Sequence, residues 1–281
     1  MKRLSAASGL LAVLSFITGC AGQAARRVGR CEGMGSAAAY RSVLTATAAD
    51  AVSLKAGGRC VLEYRDGGKL RKESFPVKLW ADPPAGIYLQ GDVAFDPRAV
   101  EAGTNEQEFW LSVKAAGTKA YWWGRWPFHA GGDLMFDPAL LREALGLGPT
   151  ADDGNYMILH RQADFDVLVR KSPNGPEKRI YVDTCNYRMR KIEYLAHGEI
   201  AASAAMSEYK PVAGDFSVPT VLSLTAFDRN GPAAIIQIKL DSVKPAAITG
   251  RQAERMFSRP EPRGIEDVYL IVEGRAIPQS D

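Results

Sequence analysis

From about residue 59 onward, apolar and polar positions alternate in short runs separated by turn residues, the period-two signature of strands in an antiparallel sheet. The alternation places strands at about 59–65, 72–81, 86–95, 107–115, 118–126, 155–161, 164–171, 178–184, 187–195, 199–208, 218–227 and 233–242. Asp66-Gly67-Gly68 is a hairpin-turn signal and Asp82-Pro83-Pro84 breaks the second strand from the third. Ala116-Gly117 separates the fourth and fifth, and Asn174-Gly175-Pro176 joins a later pair. Short connections of this kind predict antiparallel order throughout, with a last short strand at Asp267 to Val272.

Helical periodicity is confined to three places. Ser36 caps an amphipathic stretch running to about Leu54, with Tyr40, Val43, Leu44 and Val52 as its buried face and Gly57-Gly58 as its stop. Asp137-Pro138 opens a helix over Ala139 to Leu145, with proline at the first turn, and a third helix is expected near Gly250 to Phe257. No repeat or linker divides the chain, so residues 36–281 form one domain. Its expected class is α+β, mainly β: a curved antiparallel sheet, or unclosed half-barrel, covered by helices.

The strands are more apolar than a sheet with one solvated face requires. Phe75, Val77 and Leu79 share one face, as do Ile87, Leu89, Val93 and Phe95, while Trp80 points the other way. Phe109, Leu111 and Val113 oppose Trp110. Farther on, Trp122 and Trp126 share a face with Ala120 and Gly124, while Tyr121 and Trp123 share theirs with Lys119 and Arg125. Small residues between large aromatics on a concave wall leave room for an apolar ligand. Phe75, Val77, Leu79, Ile87, Leu89, Val93, Phe109, Leu111, Val113, Trp122 and Trp126 are therefore the ligand-binding candidates. The alternative is that the same side chains pack against the chain's own helices.

The N-terminus has a different pattern. Lys2 and Arg3 precede an apolar run from Leu10 to Ile17, too short for a permanent membrane span, so residues 1–19 have the form of a secretory signal peptide. The following Ile17-Thr18-Gly19-Cys20 resembles the bacterial lipobox. The resemblance implies cleavage before Cys20, lipidation of its thiol and amine, and a membrane-anchored protein facing the periplasm. Ala21, in place of aspartate, points to the outer membrane under the proteobacterial sorting rule. Residues 20–35 are a small, basic, lipidated tether. Without Lys2 and Arg3 the 35 basic and 32 acidic residues nearly cancel, which gives no electrostatic reason to expect a nucleic-acid partner. Of Cys31, Cys60 and Cys185, an odd number for an oxidising compartment, a Cys31 to Cys60 bridge would staple the first strand; a free thiol buried as a small hydrophobe is the other choice.

The leading helix, Phe75-Pro76-Val77-Lys78-Leu79-Trp80, the proline break, Ile87-Tyr88-Leu89-Gln90-Gly91-Asp92, Glu108-Phe109-Trp110-Leu111 and Lys119-Ala120-Tyr121-Trp122 together resemble the carriers and receptors of the Lol-type lipoprotein-localisation system over residues 36 to 245. That resemblance implies a hydrophobic cavity under helices that takes lipid or lipoprotein acyl chains. Leu134-Met135-Phe136 is the candidate for the receptors' exposed loop, or else a lead-in packed on the following helix. No enzyme is expected, and no cofactor or metal site. His129, His160 and His197 are isolated; Asp164 and Asp166 alternate as on a solvated strand face; Arg188, Arg190 and Lys191 look like edge protection. The second functional class is an envelope assembly or sensory protein using the fold as a protein-binding platform.

Overall fold

The computed structural model describes residues 31–281 apart from 67–68, 94–95, 115–118, 127–136, 149–154, 162–163, 172–175, 230 and 280–281. Cys20, the signal peptide, residues 20–30 of the tether, Phe95, His129, the side chain of His160 and the loop candidate Leu134-Met135-Phe136 lie outside the described residues.

Among the described residues, fifteen strands form a single sheet in the order β15-β14-β6-β5-β4-β3-β2-β1-β13-β12-β11-β10-β9-β8-β7. One arm consists of β1 (Leu54–Asp66), β2 (Lys69–Asp82), β3 (Gly86–Val93), β4 (Asp96–Thr104), β5 (Glu108–Val113) and β6 (Ala120–Arg125). The other consists of β7 (Tyr156–Arg161), β8 (Phe165–Arg170), β9 (Glu177–Asp183), β10 (Met189–Ala196), β11 (Glu199–Ala213), β12 (Phe216–Asp228) and β13 (Gly231–Pro245). Within each arm neighbours in sequence pair as hairpins, and the long-range β1–β13 ladder joins the arms. The hairpin β14 (Asp267–Val272) and β15 (Arg275–Pro278) extends the first arm.

Helix α1 (Ala37–Ala49) starts at Ser36, whose hydroxyl accepts from the Ala39 N–H, and buries Tyr40 and Leu44. Helix α2 (Pro138–Ala144) touches β4 and β5 on one arm and β10, β11 and β12 on the other, so the sheet curves around it as an unclosed half-barrel. Helix α3 (Gly250–Phe257) begins with a capping box between Thr249 and Gln252.

Several expectations are corrected. β14 pairs with β6 in parallel, because the chain crosses the outer face through α3 before rejoining the sheet, so order is not antiparallel throughout. α1 ends at Ala49, and Gly57-Gly58 lie inside β1, opposite Ser242 and Leu240, where β13 carries a one-residue bulge at Asp241. β4 was hidden by Asp96-Pro97 and Gly103, which broke its alternation. The disulfide joins Cys31 to Cys185, not to Cys60. Asp166 is buried and accepts a 2.7 Å hydrogen bond from the Tyr40 hydroxyl, whereas Asp164 lies before the strand and is exposed; they do not share a solvated face. β10 is an interior strand, so its basic residues protect no edge: Arg190 pairs with Asp183, Lys191 with Glu193, and Arg188 lies over the Tyr209 ring.

Candidate functional site

Register places one continuous set of side chains on the concave face. Leu79 lies opposite Leu89, which faces Ala102, then Leu111, then Trp122. Across the seam Cys60 faces Phe75 on one side and Ile238 on the other, and Leu222 follows. Phe75, Val77, Leu79, Ile87, Leu89, Phe109, Leu111, Val113 and Trp122 all point inward and are buried; Val93 and Trp126 are half-buried against the same core. The glycines beneath the aromatics do not leave empty seats. A Cβ on Gly124 would lie 2.6 Å from Phe109 Cζ, and one on Gly91 2.5 Å from the Phe75 ring, so the chain's own rings occupy those positions.

A cavity of about 30 Å³ remains, room for a water or two. Its walls are wholly apolar: Cys60, Leu62, Phe75, Leu89, Val100, Leu111, Val113, Ile236 and Ile238. Of the sequence candidates, Phe75, Leu89, Leu111 and Val113 meet here, while Val77, Leu79, Ile87, Phe109 and Trp122 pack elsewhere in the core and Val93 and Trp126 at its margin. Sequence reasoning missed Val100, in the unrecognised β4, and Ile236 and Ile238, whose alternation was visible but whose pairing with β1 was not. Burial pushes the Cys60 thiol up to about 12. Native protein is therefore expected to resist alkylation by iodoacetamide at pH 8 and to react in urea; stoichiometric labelling of the folded protein would show that the cavity is open.

Above the concave wall, α2 inserts Leu140, Leu141 and Ala144, followed by Leu145 and Leu147. Its polar face is held by a buried cluster. Glu143 accepts 2.8 Å contacts from Lys178 Nζ on β9 and from the Tyr194 hydroxyl on β10, and Lys178 also lies 5.3 Å from the Tyr194 ring centre. The Lys178 side chain is only 3% exposed. Burial, then the nearby Glu143 carboxylate, raises the Tyr194 phenol well above its ordinary range. At the start of the helix Asp137 caps Ala139 and Leu140 through Oδ1, and Oδ2 has no hydrogen-bond partner among the described residues. Burial raises this carboxyl from 3.8 to about 7, against the pull of the two backbone N–H groups. The folded state then holds a proton that the unfolded chain releases near pH 4. The contribution of this group to stability is full below that pH and is lost as pH rises through 7. Urea midpoints at pH 4.5 and 7.5 should reveal this slope, and Asp137→Asn, which keeps the cap, should flatten it.

The outer face of β4, β5 and β6 is also covered. Trp110 and Tyr121 are fully buried beneath α3 and the segment after it: Asn105 Nδ2 donates to the Phe257 carbonyl, the Tyr121 hydroxyl to that of Pro260, and the Arg259 guanidinium stacks 4.0 Å from the Trp123 ring centre. Both sheet faces thus required cover, as the doubly apolar strands imply. No group of three or more metal-binding side chains occurs among the described residues.

No family model and no curated protein matches the chain. Among solved structures, a Vibrio parahaemolyticus domain described as outer membrane lipoprotein-sorting aligns with 77% of this chain and 95% of its own length, at a TM-score of 0.54 and 12% identity. The chain has that domain's fold. A LolA superfamily protein from Nitrosomonas europaea aligns with 78% of this chain and 97% of its own, at a TM-score of 0.49 and 10% identity. A DUF1329 family protein from Desulfovibrio piger aligns with 76% and 94%, at 0.47 and 12%. No helix among the described residues is long and apolar enough to cross a membrane.

Proposed function

We propose that the protein is a non-enzymatic envelope lipoprotein, anchored through Cys20 on the periplasmic side of the outer membrane, that binds an acyl chain of a lipid or of another lipoprotein inside the half-barrel. The observation that carries this reading is the wholly apolar cavity on the concave wall, the same wall against which a seven-residue helix packs with polar contacts to the far arm. At about 30 Å³ the cavity is too small for an acyl chain. Binding requires α2 to lift, freeing the space filled by Leu140, Leu141, Ala144, Leu145 and Leu147. Each methylene then buried contributes about 0.8 kcal/mol. Directional contacts are few, so chain length is loosely selected.

Native mass spectrometry of protein lacking the lipid anchor is expected to show co-purified lipid, and a fluorescent fatty acid should bind and be displaced by palmitate. Leu111→Glu, which puts a charge into the cavity wall, should abolish that binding. Ligand-free protein that takes up no probe would reject the carrier reading. Metabolic labelling with alkyne-palmitate tests the anchor separately: the wild type should be labelled and Cys20→Ala should not.

A second reading is favoured by the near-complete filling of the interior: the sheet is a rigid platform for another envelope protein. It predicts that α2 stays closed and that Cys60 remains unreactive when fatty acid is added.

A further inference from the structure

The outer face of the central strands carries a charge arrangement that works against folding. On the β1–β13 ladder Lys55 lies directly opposite Lys244, and Arg59 directly opposite Lys239. Like charges facing each other across a strand pair destabilise a sheet. All four are exposed. Among the described residues Lys55, Lys239 and Lys244 make no ion pair, and Arg59 donates only to the Ser74 hydroxyl at 3.2 Å. The same face continues onto β2, where Lys78 neighbours Gly57, Lys72 neighbours Glu63, and exposed Arg65 lies opposite Leu70. The acidic residues here are Asp82, which accepts from the Ser53 hydroxyl, Glu63, paired with Lys72, Asp92, 3.5 Å from Lys78, and Asp241 at the β13 bulge, so positive charge still predominates. Leu70 is 67% exposed on this face, beside Arg65 and Lys72.

We infer that this convex face, over β2, β1 and β13, docks on the anionic headgroup layer of a membrane. Two properties favour a lipid surface over an acidic protein. The cations are spread along the extended strands β1, β2 and β13, which suits a plane of mobile phosphates. An unshielded leucine among cations also fits the boundary between headgroups and acyl chains, where an apolar side chain gains burial while its neighbours keep their charge partners. The inference goes beyond the acyl-binding reading and needs neither the cavity nor the lipid on Cys20. If Cys20 is acylated, the eleven residues to Cys31 limit the domain to within about 40 Å of the bilayer, which keeps this face at high local concentration.

The test uses residues 21–281, which retain the whole compact body from Cys31 onward and carry no anchor. In vesicle flotation this protein should bind phosphatidylcholine vesicles containing phosphatidylglycerol and not phosphatidylcholine alone. Binding should weaken as salt approaches about 0.15 M, where the Debye length falls to about 8 Å. Lys55→Ala with Lys239→Ala should weaken it about thirtyfold, at about a factor of five per charge near the surface. Lys114→Ala with Lys171→Ala, the same charge change away from this face, should leave binding intact. Because each substitution in the first pair relieves an opposed cation, that variant should also melt one or two degrees higher than the wild type, which excludes loss of binding through misfolding. Equal binding to neutral vesicles, or equal loss in both pairs, would overturn the inference. So would protein that ignores anionic vesicles but is captured by polyglutamate, which assigns the face to an acidic protein. A chain that fails the palmitate-labelling test can still pass this one.

Discussion

Glu143→Ala is expected to lower the unfolding free energy by about 3 kcal/mol, because it removes the carboxylate that neutralises a lysine with almost no access to water. The loss is larger than the contact itself is worth. Lys178 and the Tyr194 hydroxyl each lose the Glu143 carboxylate as an acceptor but stay beneath α2 with their desolvation cost. Replacing both partners, Glu143→Leu with Lys178→Met, should recover most of that stability, since an apolar pair of similar size satisfies the same space without charge. Urea unfolding of the two single variants and the double variant measures the coupling directly. Recovery by the double variant assigns the cost to the buried charge; a double variant as weak as either single one would assign it to lost packing. The same experiment bears on function. If α2 must lift to admit an acyl chain, Glu143→Ala should speed uptake of a fluorescent fatty acid, while the apolar double variant should slow it.

The second large effect is expected at the bridge between Cys31 and Cys185. It closes a loop of 154 residues, for which the chain-entropy estimate is about 5 kcal/mol; measured values for native bridges run from about 2 to 5. Cys31→Ser, made in residues 21–281 with Cys60→Ala so that no other thiol remains to exchange with Cys185, should therefore melt well below its parent. The damage should be concentrated in α1. The bridge delivers Met34, whose N–H donates to the Tyr40 hydroxyl, and that hydroxyl in turn donates to the buried Asp166. Hydrogen exchange should show α1 amides losing protection before those of β1 and β13. Uniform loss would mean that the bridge acts only on the unfolded chain.

Much of the architecture was legible because a strand with one dry face repeats every second residue. Phe75-Val77-Leu79 and Phe109-Leu111-Val113 declared their faces without any knowledge of what they touch. Asp137-Pro138 marked one helix start by cap chemistry alone. What periodicity does not encode is register across long separations. The Cys60–Ile238 pairing, the Cys31–Cys185 bridge and the parallel return of β14 to β6 each join residues more than a hundred apart. The candidate site was therefore only partly visible. Its walls were foreseen on β2, β3 and β5; the occupation of the glycine seats by Phe75 and Phe109 was not, because it depends on ring orientation. The polar cluster under α2 had no signal either, since a lysine at the start of an alternating strand looks like any solvated end.

The strand order also governs how the chain must mature. Two meanders of local hairpins can each form as soon as they emerge, but the seam between them needs β13, synthesised some 180 residues after β1. Until then β1 offers a long unpaired edge, and the tryptophan-rich back of β5 and β6 waits still longer for the residues that follow α3. A nascent chain of this design is therefore sticky until its final tenth arrives, and a holdase chaperone that shields it through that interval would raise its yield more than any improvement in native stability.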